Sequence, residues 1–282
     1  MDIIDPNLYT SKNSHAQLST IDSIKNHIQN NDNNKSYDLI VDVGCGGGVS
    51  TNLLAKHIPQ HKLIVGIDVV PDMISYARSN NTDDTIEYVE QDMSVKWTEI
   101  GSQRIRQLES KVDLIYSNMV LEYMPDKWLV MDTVNRLLTT GGLFHANIFI
   151  LPDLNKKLVN NGPKPWYQTR EKQLDDWRQS LSDNHLLVKQ FDTIDVCWPT
   201  DRQKMIEFMP IMISKFRSFF KNRKQFDAEL NDHLTDTVFD AYVNPDSPEP
   251  NPRAWQQFLA DPTVTEVNRY HRLLRVTAIK QN

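Results

Sequence analysis

Short apolar segments alternate with helical patterns along residues 39–150, and this alternation constrains the fold more than any other feature of the chain. The apolar segments have the length and β-branched composition of buried strands. The predicted strands are 39–43, 63–68, 86–92, 112–118 and 143–150. The predicted helices between them are 50–57, 71–78 and 126–138, the last ended by Gly141-Gly142. Strands separated by helices indicate right-handed crossovers and a mostly parallel sheet.

The segments on either side of this region extend the same architecture. Leu18, Ile21, Ile24 and Ile28 recur at helical spacing and predict an amphipathic helix before the sheet. After residue 150 the patterns predict a helix at 171–182 and strands at 186–196 and 273–279, with mainly helical sequence between the two strands. We therefore predict one α/β domain spanning residues 1–282, with a doubly wound, seven-stranded, mostly parallel sheet. Residues 199–268 are interpreted as a helical cap inserted between the last two strands.

Composition excludes several classes of partner. The net charge of −6 argues against non-specific binding to nucleic acid, which depends on clustered Lys and Arg. No apolar stretch is long enough to span a bilayer, and the acidic N-terminus is unlike a signal or transit peptide. The only cysteines, Cys45 and Cys197, are far apart, which fits a reducing compartment. We expect a cytoplasmic protein, monomeric or homodimeric, with no membrane or nucleic-acid partner.

A glycine-rich sequence follows the first predicted strand. Residues 42–48 read Asp-Val-Gly-Cys-Gly-Gly-Gly, and a helix opens directly afterwards. Glycine lets the backbone turn tightly and approach a ligand closely. The dinucleotide fingerprint needs a glycine three residues after its second glycine, and that position here is Val49.

This pattern, with its glycines at 44, 46 and 48, resembles the S-adenosylmethionine-binding motif of the Rossmann-like methyltransferases. The resemblance implies S-adenosyl-L-methionine as the cofactor, with Asp42 near its ammonium group and Asp68 on its ribose hydroxyls. It also implies adenine contacts at the end of the third strand and methionine contacts at the end of the fourth. The predicted cofactor-binding residues are Asp42, Gly44, Cys45, Gly46, Gly48, Asp68, Met73, Asp92, Met93, Ser117 and Asn118. The alternatives are a helix-capping role for Asp68, a loop role for Asp92 and core packing for the two methionines.

Two further segments bear on the methyl acceptor. Residues 8–17 and 121–126 resemble the juvenile hormone acid methyltransferases of arthropods and related small-molecule carboxyl methyltransferases. In that group a Gln and a Trp hold the substrate carboxylate. Here Ala16 occupies the Gln position with Gln17 next to it, and Tyr123 occupies the Trp position. The resemblance implies catalytic roles for Gln17 and Tyr123, whereas the neighbouring Glu122 would repel an acid unless it points away.

The sequence therefore predicts an S-adenosylmethionine-dependent methyltransferase that acts on a small, apolar carboxylic acid. A carboxylate is already a nucleophile, so the enzyme must position it and exclude water. The apolar stretch at 205–220 either lines a pocket for a lipophilic acid or packs the cap. Two alternatives stay open: N- or O-methylation of another small molecule, and a non-catalytic cofactor-binding relative. No metal-binding motif occurs, and we predict no metal site.

Overall fold

A computed structural model describes residues 6, 14–29, 36–152, 169–217, 228–245, 247 and 251–281. In this part of the chain the helices are α1 (Ser14–Ser23, continued by a π-helical turn at Ile24–Ile28), α2 (Val49–His57), α3 (Pro71–Asn80), α4 (Gln103–Arg106), α5 (Lys127–Leu137), α6 (Arg170–Asp183), α7 (Arg202–Arg217), α8 (Ala228–Val243) and α9 (Ala254–Ala260). The strands are β1 (Leu39–Val43), β2 (Leu63–Asp68), β3 (Ile86–Glu90), β4 (Val112–Asn118), β5 (Leu138–Ile150), β6 (Leu186–Asp201) and β7 (Glu266–Lys280). No helix in the described residues is long and apolar enough to cross a bilayer.

The strands form one seven-stranded sheet in the order β3-β2-β1-β4-β5-β7-β6. Strand β1 pairs in parallel with β2 and β4, β2 pairs in parallel with β3, and β4 pairs in parallel with β5. The chain thus winds from β1 towards one edge and then from β4 towards the other. This confirms the predicted doubly wound sheet, and it creates a topological switch point between β1 and β4, where sheets of this kind bind ligands.

The chain divides into two compact units. The larger unit contains residues 5–149, 175–193 and 274–282. Its core includes Ile40, Ile64, Leu114 and Tyr116, which are fully buried because helices cover the central strands.

The smaller unit contains residues 1–4, 150–174 and 194–273. Met205, Met209, Phe216 and Phe239 are buried within it. Residues 199–268 include α7, α8 and α9, and their interpretation as an inserted cap stays a prediction. Two residues of the apolar stretch, Phe219 and Phe220, lie outside the described residues, as does the sequence at 8–13.

The prediction that Gly141-Gly142 ends the helix before β5 was wrong. Helix α5 ends at Leu137 and β5 begins at Leu138, so both glycines lie inside the strand. Gly141 adopts a φ of +79°, and the β4–β5 register shifts nearby, between Val112 and Leu114. A strand can absorb a glycine at such an irregularity, whereas the sequence pattern shows only the glycine pair. Strands β6 and β7 are also longer than predicted.

Candidate functional site

A cleft opens at the carboxyl ends of β1 and β4, at the topological switch point. Four parts of the larger unit form it: helix α1, the loop after β1, the first turn of α2 and the end of β4. Its lining residues are Ala16, Gln17, Thr20, Gly44, Cys45, Gly46, Gly47, Val49, Ser50, Asn118 and Val120. Four predicted cofactor residues (Gly44, Cys45, Gly46, Asn118) and one predicted acceptor residue, Gln17, therefore meet in one place.

Three glycines of the glycine loop, residues 44–48, adopt left-handed backbone conformations. Gly44, Gly46 and Gly48 have φ values of +75°, +52° and +85°. A Cβ atom on Gly44 would lie 2.3 Å from Cγ1 of Val120, so no larger side chain fits at this position. The backbone N–H groups of Gly44 and Cys45 both donate to the carbonyl oxygen of Ile67, at 2.7 and 3.0 Å. The loop is thereby fixed against the end of β2 and presents its backbone to the cleft.

Asp42 supports this loop from within the core. Its Oδ2 accepts hydrogen bonds from the hydroxyls of Ser50 and Thr51, both at 2.7 Å. Burial raises the pKa of Asp42 to about 6, although the two hydroxyls oppose that rise. Asp42 does not line the cleft. It ties the end of β1 to the first turn of α2, where Ser50 reaches the cleft surface.

Asp68 joins the end of β2 to the glycine loop. Its Oδ2 accepts a hydrogen bond from the N–H of Gly46, and its Oδ1 accepts one from the N–H of Val70, both at 2.9 Å. Val70 directly precedes Pro71, the first residue of α3, so Asp68 also fixes the backbone at the entry to this helix. An ionised carboxylate can accept more than one hydrogen bond at each oxygen. The cofactor role of Asp68 and its helix-capping alternative both stay predictions.

The residues predicted to contact adenine lie after β2 and β3. The Oδ1 of Asp92 accepts hydrogen bonds from the N–H and the hydroxyl of Ser94, at 2.8 and 2.6 Å. Met73 and Met93 are buried. None of the three is among the residues that line the cleft. Their roles towards a cofactor stay predictions, and the burial of the methionines also satisfies the core-packing alternative.

The end of β4 ties α1 to the sheet. The hydroxyl of Ser117 donates to the carbonyl of Val43 at 2.9 Å and joins β4 to β1. The Nδ2 of Asn118 donates to the carbonyl of Ala16 at 3.1 Å, while its Oδ1 accepts from the hydroxyl of Ser19 at 3.2 Å. Asn118 therefore positions the helix turn that carries Gln17.

The two predicted acceptor residues are placed differently. Gln17 lines the cleft from α1. Tyr123 ends a short 3-10 helix, Leu121–Tyr123, is half-buried, and is not among the lining residues. Glu122 is buried at 4% exposure and does not line the cleft either.

Sequence reasoning missed several lining residues, namely Ala16, Thr20, Gly47, Val49, Ser50 and Val120. Helical spacing could have identified Thr20, because residues four apart share one helix face and Ala16 stands at the aligned Gln position. Val120 has no such signal. It is recognisable only once the fold brings it against Gly44.

The lining residues fit S-adenosylmethionine. Near the cleft, the carboxylate of Asp68 accepts a hydrogen bond from the N–H of Gly46. The backbone of the same loop leaves no room for a Cβ atom at Gly44. The lining residues include no Asp, Glu, Lys, Arg or His. Cys45 stays a thiol, because burial raises its pKa well above the usual range. The part of the cleft surface that the structure describes therefore carries no charged side chain.

Comparison with known proteins agrees with this fold. Residues 34–209 match a family model described as a methyltransferase domain. Trans-aconitate 2-methyltransferase of Escherichia coli O157:H7 is 35% identical over 109 residues, which cover 39% of this chain and 38% of that protein. Arsenite methyltransferase of Halobacterium salinarum is 31% identical over 105 residues, which cover 37% of this chain and 25% of that protein. The chain thus spans less than half the length of these curated relatives.

Solved structures share the fold at low sequence identity. A Bacillus halodurans protein described as a candidate methyltransferase superposes with a TM-score of 0.56 at 14% identity, over 94% of this chain and 100% of that one. The YcgJ protein of Bacillus subtilis gives a TM-score of 0.54 at 14% identity, over 95% and 99%. The prediction of a Rossmann-like, S-adenosylmethionine-dependent methyltransferase is confirmed at the level of the family. Since the matched segment is more than half of the sequence, the chain belongs to the methyltransferase domain family.

Proposed function

We propose that this protein transfers the methyl group of S-adenosylmethionine to a carboxylate oxygen of a small organic acid. The observation that carries this proposal is the neutral cleft surface. Among the described residues, the lining offers no side chain that could act as a general base, since it includes no Asp, Glu or His and burial keeps the Cys45 thiol protonated. A carboxylate acceptor needs no deprotonation, unlike a phenol, an alcohol or a protonated amine.

The residues around the cleft have separable tasks in this reaction. Bound S-adenosylmethionine would supply an electrophilic methyl group. Asp68 and the glycine loop hold the donor side, because the loop backbone and the carboxylate are already fixed to one another at 2.9 Å. Gln17 approaches from α1 and can donate a carboxamide hydrogen bond to the acceptor carboxylate. Such positioning is the main requirement for an in-line transfer between two reactive groups.

Relatives support the same class of acceptor. Several matched proteins are named trans-aconitate 2-methyltransferases, and trans-aconitate is a carboxylic acid. The resemblance of residues 8–17 and 121–126 to the juvenile hormone acid group indicates the same chemistry. In that comparison Tyr123 would be a second hydrogen-bond donor to the carboxylate. The proposal includes a preference for apolar acids, which is predicted from the apolar sequence at 205–220.

A methyl-transfer screen over carboxylic acids, amines and phenols tests this function directly. Gln17→Ala should lower kcat/KM for the best acid by about tenfold or more, the usual effect of removing a hydrogen bond to a charged group. Tyr123→Phe should act in the same direction. Both variants should keep the affinity for S-adenosylhomocysteine, because they are proposed to contact only the acceptor.

Leu18→Ala is the matched control, since Leu18 is the next residue of α1 and is 65% exposed. We expect it to leave both transfer and cofactor affinity unchanged. Turnover of amines or phenols without turnover of acids would overturn the carboxylate assignment in favour of N- or O-methylation. Binding of S-adenosylhomocysteine with no transfer to any acceptor would identify a non-catalytic relative.

A further inference from the structure

A buried arginine lies between aromatic rings in the smaller unit. Arg269, on β7, is only 6% exposed. Its Nε donates to the hydroxyl of Thr200 at 2.8 Å. Its guanidinium carbon lies 4.9 Å from the ring centroid of Phe208 and 5.9 Å from that of Trp198. We refer to these four residues as the Arg269 cluster.

The charge of Arg269 has no carboxylate partner in the part of the chain that the structure describes, although the Tyr242 phenol interacts with it electrostatically. None of the ion pairs formed there includes this residue. Its Nη1 and Nη2 donate to no described residue, and neither is among the buried polar atoms that are sealed from solvent. Two arginines of the same unit behave differently. Arg272 forms a two-bond ion pair with Asp195 at 2.7 and 2.8 Å, and Arg202 donates to backbone carbonyls such as that of Phe258.

A buried arginine without a carboxylate partner lowers the stability of the fold, and a binding role would explain why it is there. Burial lowers the pKa of Arg269 to about 10, so the guanidinium is still protonated at neutral pH. Removing a charge from water without an opposite charge disfavours folding, and cation–π contacts with the two rings offset only part of that cost. The free edge of the guanidinium fork is the geometry that binds a carboxylate through two parallel hydrogen bonds.

We propose that the Arg269 cluster is a binding site for the carboxylate of a small organic acid with a flat or apolar body. The guanidinium edge binds the carboxylate, and the half-buried rings of Trp198 and Phe208 contact the body. His271 packs against Trp198, with ring centroids 4.4 Å apart, and helps to orient it. A carboxylate is favoured over a phosphate because the cluster combines one arginine with two apolar walls. This inference goes beyond the proposed function, since it requires no methyl transfer.

Titration calorimetry with benzoate tests the proposal on the full chain. Wild-type protein should bind benzoate saturably and should bind benzamide, a neutral molecule of similar shape, at least about tenfold more weakly. Arg269→Met should weaken benzoate binding by about tenfold or more, equivalent to about 1.4 kcal/mol. Without ligand, Arg269→Met should melt at or above the wild-type temperature, because it removes an unpaired buried charge. Benzoate should raise the melting temperature of the wild type only.

Arg272→Gln is the matched control, because it removes the same charge from the same strand at a residue that already has a carboxylate partner. It should leave benzoate affinity unchanged. If Arg269→Met does not fold, Arg269→Lys should fold and bind benzoate more weakly than the wild type, since lysine keeps the charge but not the fork. Equal binding of benzoate and benzamide, unchanged binding in Arg269→Met, or tighter binding of inorganic phosphate than of benzoate would each overturn the proposal.

Discussion

The carboxylate of Asp68 accepts a hydrogen bond from the backbone N–H of Gly46 at 2.9 Å, so one side chain links the end of β2 to the glycine loop after β1. The same carboxylate accepts from the N–H of Val70 at the start of α3. Asp68 thus shapes the loop, and its proposed second role is to bind the ribose hydroxyls of the cofactor. This double role makes it the most informative single position for testing the cofactor site.

Asp68→Ala should weaken binding of S-adenosylhomocysteine by about 1.5–3 kcal/mol, the range for hydrogen bonds to a charged group. Titration calorimetry measures this directly. Asp72→Asn is a suitable control, because Asp72 is an exposed acid in the first turn of α3 and should not affect binding. Unchanged affinity in Asp68→Ala would remove Asp68 from the site.

Two glycines in left-handed conformation provide a matched test of packing in the loop. Gly48 has a φ of +85°, and a Cβ there would lie 2.5 Å from Oη of Tyr88. Gly141 has a φ of +79°, and a Cβ there would meet nothing within 4 Å. Gly141→Ala should cost about 1–2 kcal/mol of backbone strain. Gly48→Ala should cost clearly more, because the Tyr88 hydroxyl is fixed by a 2.7 Å bond to the carbonyl of Asn81.

Urea unfolding of the two variants against the wild type gives both free energies. Similar losses would mean that Tyr88 moves aside and that the loop is not tightly packed against it.

The sequence predicted the site best for residues whose chemistry and position at the end of a strand indicate the same role. The predicted bounds of β1, β2 and β4 agree with the structure, because short β-branched runs buried on both faces leave little choice of conformation. The glycine loop and Asn118 follow from their positions at strand ends. Val120 and Ser50 could not be predicted as lining residues, since their roles depend on contacts between segments far apart in the chain. The exit from α5 was misjudged because Gly141 serves a strand irregularity and not a helix end.

The stability of the fold should depend on pH through Asp42. Burial raises its pKa to about 6 in the folded protein, compared with about 3.9 in an unfolded chain. The folded state then binds more protons than the unfolded state between these values. Stability from this group therefore falls as the pH rises from about 4 to 6, by about 2–3 kcal/mol. Asp42→Asn should remove this fall while its carboxamide oxygen still accepts from Ser50 and Thr51.

The measurement is the free energy of unfolding of both proteins at several pH values. The difference between wild type and variant should change across this window and level off above it. A difference that does not vary with pH would show that Asp42 is not responsible.

His145 should change the stability of the fold in the opposite direction to Asp42, over an overlapping range of pH. It is fully buried in β5, stacks on His27 and bonds through Nδ1 to the hydroxyl of Thr277 at 2.8 Å. Burial, with smaller contributions from His27 and Arg275, lowers its pKa to about 3. An unfolded histidine titrates near about 6.5, so the unfolded state binds more protons between these values. Stability from His145 is therefore lost as the pH falls below about 6.5.

His145→Gln should reduce this loss by about 2 kcal/mol between pH 6.5 and 5, measured relative to the wild type by chemical unfolding. A wild type and variant with parallel pH profiles would contradict the assignment.

Glu122 decides between the acceptor classes. It lies in the turn after β4, next to Tyr123, yet it is buried and is not among the residues lining the cleft. If the acceptor is an acid, Glu122→Gln should leave kcat/KM close to the wild-type value, because the carboxylate does not face the substrate. A strong rise in acid methylation would instead mean that the charge of Glu122 opposes the acceptor within the site. Loss of turnover on an amine or hydroxyl acceptor would identify Glu122 as a general base. The proposal of carboxylate methylation would then be replaced by N- or O-methylation. The pH profile of kcat separates the last two cases. A general base makes the kcat of the wild type fall at acidic pH, and this fall is absent from the variant. A repulsive charge does not require such a fall.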